Sequence, residues 1–109
     1  MSDQFHGDME AAHISALWER TSHGGEGLAE AAHIWRWDTL NPLLDAAVDA
    51  TNMDNAERRV LVLENPAYDD LHRRGIGLNM VVNLQILMPG ESARPHRHTL
   101  NALRFIIEG

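Results

Sequence analysis

Apolar positions divide the chain into a first half with helical spacing and a second half with strand-like runs. Over residues 8–20, Ile14, Leu17 and Trp18 fall on one side with charged residues opposite, which predicts an amphipathic helix with Asp8 as its N-cap. His23-Gly24-Gly25-Glu26-Gly27 breaks that pattern, and a short helical segment over residues 28–33 then leads into Ile34-Trp35-Arg36-Trp37. Asp38 or Asn41 caps a second helix with Pro42 in its first turn and Leu44, Ala47 and Val48 as its buried stripe. After Asn55 the period changes. Residues 59–64, Arg-Val-Leu-Val-Leu-Glu, read as a strand stopped by Asn65-Pro66. Residues 68–76, with Asp69, Asp70, Arg73 and Arg74, read as a loop, and residues 78–88 as a long strand interrupted by Asn79, Asn83 and Gln85. Pro89-Gly90 makes a turn, and residues 103–108 read as a last strand. The expected class is α+β, divided into a helical segment over residues 1–55 and a β segment over residues 56–109.

Composition narrows the function. The 109 residues suffice for one small domain, and 44% hydrophobic with 23% charged residues is ordinary for a soluble globular protein. The formal net charge is −7, with nine arginines, no lysine and no basic run, a poor match to nucleic acid or an anionic membrane. Without cysteine there is no disulfide or thiolate chemistry, which suits a reducing cytoplasm. No apolar run approaches the roughly 20 residues that span a bilayer, and the start Met-Ser-Asp-Gln-Phe-His has no basic, secretory-type beginning.

The candidate chemistry lies in residues 90–109. His96 and His98 are two apart, so on an extended backbone their imidazoles share a face and can converge on one metal ion. An isolated His-x-His also fits two surface histidines in an arginine-rich turn. Arg104 follows His98 by six residues, an even spacing that keeps it on the same face of an unbulged strand, where it either grips a carboxylate or is simply solvated. Gln85 stands in an otherwise apolar run and needs a partner there, a ligand or the backbone. Arg58 and Arg59 are adjacent, so only one faces inward. His6, His13, His23, His33 and His72 lack ligand-like spacing; His13 reads as surface and His33 as packing. Trp18, Trp35 and Trp37 read as core or subunit contacts.

Gly90, five residues, His96-x-His98 and a strand ending at Gly109 resemble the first motif of the cupin superfamily. That motif carries a glutamate four or five residues after the second histidine, where this chain has Ala102 or Leu103. The departure is a feature of one branch, the gentisate 1,2-dioxygenases and their salicylate and 1-hydroxy-2-naphthoate relatives. The run from Pro95 through Arg104-Phe105-Ile106-Ile107-Glu108-Gly109 looks like their first metal-binding strand pair. Residues 33–37, 57–66 and 84–91 resemble segments that precede it, so the resemblance covers residues 17–109.

The resemblance implies the first strands of an incomplete cupin barrel, a double-stranded β-helix or jelly roll, behind N-terminal helices. It implies ferrous iron held by three histidines, with His96 and His98 matching two of them and the third expected beyond this chain. The implied substrate is gentisate or a similar hydroxylated aromatic acid, opened with dioxygen between its carboxyl- and hydroxyl-bearing carbons to give, from gentisate, maleylpyruvate. Arg58, Gln85 and Arg104 match substrate-contacting positions, and the family match favours Arg58 over Arg59 as the inward arginine. Val81 and Asn83 differ from the aromatic residue and the glycine of the salicylate relative, so the preferred aromatic acid stays open. The full-length family member is expected to be a tetramer. The 109-residue chain alone is expected to lack dioxygenase activity. A non-catalytic, small cupin-like protein that binds a metal or an aromatic acid is the alternative reading.

Overall fold

A computed structural model describes residues 2–19, 30–56, 58–68, 75–77 and 80–109. It contains helix α1 (Asp3–Ala11), strand β1 (Ile14–Ala16), a short 3-10 turn (Leu17–Glu19), helix α2 (Trp37–Ala50), strand β2 (Val60–Leu63) and strand β3 (Asn83–Gln85). The strands form one antiparallel sheet in the order β1-β2-β3. The α+β class expected from the sequence is therefore present, as two helices against a small sheet.

The first helix is not where the apolar spacing predicts it. Ser2 rather than Asp8 is the N-cap, its hydroxyl accepting from the Phe5 N–H at 3.2 Å. The helix ends at Ala11, and His13 adopts a left-handed φ of 56° that turns the chain out of the helical path. Ile14, Ser15 and Ala16 then pair with Leu63, Val62 and Leu61. All three are buried, because β1 is enclosed on both of its faces. Ile14, Leu17 and Trp18 therefore belong to a strand and a 3-10 turn and not to one helical stripe.

Of the stripe expected in α2, Ala47 is buried while Leu44 and Val48 are half-buried; the buried side is Leu40, Leu43 and Ala47, at helical spacing. Its start is earlier than predicted. Arg36 is the N-cap and makes no side-chain capping bond, so neither Asp38 nor Asn41 serves. Asp38 instead lies in the first turn, where its charge complements the helix dipole, and Pro42 is inside the helix rather than at its opening. Residues 30–36 form no regular element.

β2 agrees with the expected strand and is the centre of the molecule, flanked on both edges and buried along its whole length. Phe5 and Met9 of α1, Ile14 and Ala16 of β1, Leu40, Leu43 and Ala47 of α2, and Leu61 and Leu63 of β2 make one core, with Trp18, Trp35, Leu84 and Ile86 packed against it. β1 comes from the first half of the sequence and β2 from the second, so both halves contribute to that core. Trp37 is exposed.

The later strands are shorter than their apolar runs. Of the described residues in 78–88, Asn83, Leu84 and Gln85 form the strand paired with β2, while Met80 makes a single bridge to Gly77. Residues 103–108 form no strand, and Leu103 and Phe105 are 99% and 86% exposed. Apolar and β-branched residues become a strand only where another edge supplies hydrogen-bond partners, and none pairs with this stretch among the described residues. The predicted break at residues 23–27 with His23, part of the helical segment over residues 28–33, and most of the loop over residues 68–76 with His72 lie outside the described residues.

Candidate functional site

The chain reaches the histidine segment through a tight turn. Pro89 and Gly90 occupy its centre, Gly90 has φ 84°, and the Glu91 N–H donates to the Met88 carbonyl at 3.0 Å. Proline followed by a residue with positive φ is the signature of a type II turn. The Glu91 carboxylate folds back to accept the Met88 N–H at 2.7 Å. It is also gripped by Arg59, whose Nη1 and Nη2 donate to its two oxygens.

Arg59, and not Arg58 as the family match favoured, is the buried member of the arginine pair, at 2% exposure, whereas Arg58 is half-buried. The Arg59 Nε donates to the Thr51 hydroxyl at 3.0 Å and Nη2 to the Thr51 carbonyl at 3.1 Å. A cation thus sits at the C-terminal end of α2, where the helix dipole favours it. Arg59 holds the Glu91 carboxyl below its ordinary range, chiefly through the side-chain hydrogen bond, with the Met88 N–H adding to the effect. Sequence reasoning missed this cluster. Its one signal was a guanidinium at the edge of an apolar run, and its partner lies 32 residues away.

His96 and His98 are exposed and stand together, their ring centres 5.1 Å apart and their planes inclined by 45°. The His98 Nδ1 is 2.8 Å from the Leu100 carbonyl. A carbonyl only accepts, so Nδ1 carries the proton and the lone pair of a neutral ring lies on Nε2. That tautomer, fixed by a carbonyl on the far nitrogen, is how metal-ligating histidines are commonly oriented. Metal–nitrogen bonds of about 2.1 Å meeting near a right angle put two ring centres roughly 4–5 Å apart, close to the 5.1 Å between these rings. No group of three histidines or carboxylates suited to a metal occurs among the described residues.

The structure also joins the other candidates. Arg104 Nη1 donates to Gln85 Oε1 at 2.7 Å, and Gln85 Nε2 donates to the Arg58 carbonyl at 3.1 Å. Gln85 lies in β3, whose pairing with Val60 brings it beside the end of β2 where Arg58 is placed. Of the two partners foreseen for Gln85, a ligand or the backbone, the backbone is used, and the amide oxygen is taken by Arg104. His13, half-buried, and His33, exposed, form an edge-on aromatic row with Trp35, and the Trp35 indole donates to the His13 carbonyl at 3.1 Å. Among the described residues no helix is long and apolar enough to cross a membrane.

The chain is similar to curated dioxygenases. It is 47% identical over 75 residues to a gentisate 1,2-dioxygenase of a Ralstonia species, covering 69% of this chain and 21% of that protein. It is 34% identical over 109 residues to gentisate 1,2-dioxygenase 1 of Aquipseudomonas alcaligenes, covering 97% of this chain and 31% of that protein. A 1-hydroxy-2-naphthoate 1,2-dioxygenase of a Nocardioides species is 33% identical over 88 residues, covering 79% of this chain and 22% of that protein. The chain therefore spans between about a fifth and a third of the length of these relatives. No family model matches it. No solved structure matches it.

Proposed function

Since the chain belongs to the gentisate 1,2-dioxygenase family, we propose that the whole protein opens the ring of a hydroxylated aromatic acid such as gentisate with dioxygen, and that these residues carry part of its site. The observation that carries this reading is the His96–His98 pair, with its rings 5.1 Å apart and Nε2 of His98 left as the ligating nitrogen. Ferrous iron is the metal proposed, held by these imidazoles and by a further histidine outside the described residues. When bound it supplies a redox-active Lewis acid that accepts oxygen donors of the substrate.

The protein's own groups supply orientation. Arg104 is a planar donor suited to bidentate pairing with the substrate carboxylate. Gln85 holds that guanidinium by its amide oxygen while its amide nitrogen is tied to the Arg58 carbonyl, which helps to orient the arginine. Arg58 is proposed as the second substrate contact. Together with the small sheet, these positions are proposed to belong to a cupin barrel in the cytoplasm, in a protein that assembles as a homo-oligomer.

Oxygen consumption tests the assignment. In the whole protein supplied with ferrous iron, gentisate should support oxygen uptake, and Arg104→Leu should weaken KM and kcat together, by on the order of a hundredfold in kcat/KM for loss of a charged hydrogen bond. The 109 residues by themselves should consume none. Robust turnover by the short chain, or full activity in His96→Ala, would sink the reading.

A further inference from the structure

We infer that Glu91, locked by buried Arg59, is a positioning residue that sets where the histidine pair stands; the inference rests on His96 and His98 being metal ligands. The reasoning starts from what a buried arginine costs. Desolvating a guanidinium is unfavourable, and replacing a buried ion pair as a whole by well-packed apolar residues often leaves stability equal or greater. What the ion pair provides is geometry. Arg59 is fixed at one end by the Thr51 hydroxyl and carbonyl and at the other by both oxygens of Glu91. Glu91 is thereby tied to the C-terminal end of α2 and to the start of β2, and its own backbone and side chain close the Pro89–Gly90 turn.

Downstream of that anchor the chain has little else to direct it. Ser92, Ala93, Arg94 and Pro95 separate Glu91 from His96, and residues 91–98 belong to no helix or strand. Side chains in an unpaired segment take their place from the nearest fixed point on either side. For this pair those points are Glu91 upstream and, downstream, Arg104, tied to Gln85 of β3. Loosening the upstream point shifts the imidazoles relative to Gln85 and Arg104 without touching any of them.

The test is made in the whole protein with cobalt(II) as the metal probe. Glu91→Gln keeps an acceptor for the Met88 N–H but loses the ionic grip of Arg59. It should lower cobalt affinity on the order of tenfold, the scale seen when groups supporting metal ligands are removed. It should also change the ligand-field absorption at saturating cobalt, which a purely structural role would leave alone. Glu91→Asp, which restores the charge at a shorter reach, should recover part of the loss. Wild-type affinity and spectrum in Glu91→Gln, alongside loss of binding in His96→Ala, would overturn this inference and leave the metal assignment standing. Undiminished binding in His96→Ala would overturn both. If Glu91→Gln does not fold, Thr51→Val removes one acceptor from Arg59 and should give a smaller fall in the same direction; an unchanged affinity and spectrum there would likewise overturn it.

Discussion

Glu64 is a buried carboxylate whose two oxygens are spoken for. The Ser15 hydroxyl donates to Oε1 and the Gly75 N–H to Oε2, each at 2.7 Å. Ser15 is itself buried in β1, 49 residues away in sequence, so this contact fastens β1 to the chain leaving β2. Replacing Ser15 with alanine withdraws a donor from a carboxylate that water does not readily reach. The expected loss is about 1–3 kcal/mol in a denaturant titration, where an equally exposed serine would give almost nothing. Residues of this kind were the least legible in the sequence. Ser15, Glu64, Arg59 and Glu91 look like ordinary surface residues until the fold sets their partners beside them. Gln85 was legible, because an amide in an apolar run needs a partner, and Asn65-Pro66 was legible as a stop.

Among the elements, legibility followed how far each one was decided locally. β2 is short, apolar and β-branched, and the structure agrees with the sequence there. The stripe of α2 was readable from its spacing, but its start was not, because Arg36 caps the helix without using its side chain. α1 was misplaced because the left-handed His13 breaks the period, and nothing in a lone histidine announces that φ. The contact between α1 and the turn after β1 gives a pH-dependent prediction. The His6 Nδ1 faces the Ser2 carbonyl at 3.0 Å and its Nε2 faces Glu19 at 3.0 Å. Both partners only accept, so the geometry is satisfied by the doubly protonated ring. The His6 pKa is raised above 6.5, first by the Glu19 hydrogen bond and then by the Ser2 carbonyl. A raised folded-state pKa contributes stability that is complete below pH 6.5 and fades as pH climbs through the higher value. His6→Gln should therefore melt below the wild type in mildly acidic buffer and alongside it in alkaline buffer. The gap should be modest, since both partners are exposed.

At the scale of the whole molecule, the last residues are the part least resolved by local rules. Leu100, Leu103, Phe105, Ile106 and Ile107 all lie open to solvent, a larger apolar exposure than a stable monomer usually carries. The purified 109-residue chain should consequently bind a hydrophobic dye and self-associate at micromolar concentration. Phe105→Glu together with Ile107→Glu should reduce both effects, as read by fluorescence and light scattering, without lowering the melting temperature of the core, which those residues do not join. The run was read as a strand because its composition is that of one; what it lacks is an edge to pair with. Its described tie to the sheet is the contact between Arg104 and Gln85, and the chemistry of that tie has a consequence. Gln85 is neutral, so it steadies the guanidinium without cancelling it, and a full positive charge stays on offer to an arriving anion. A glutamate at 85 would hold the arginine harder and leave nothing over, turning the proposed receptor for acids into a closed ion pair.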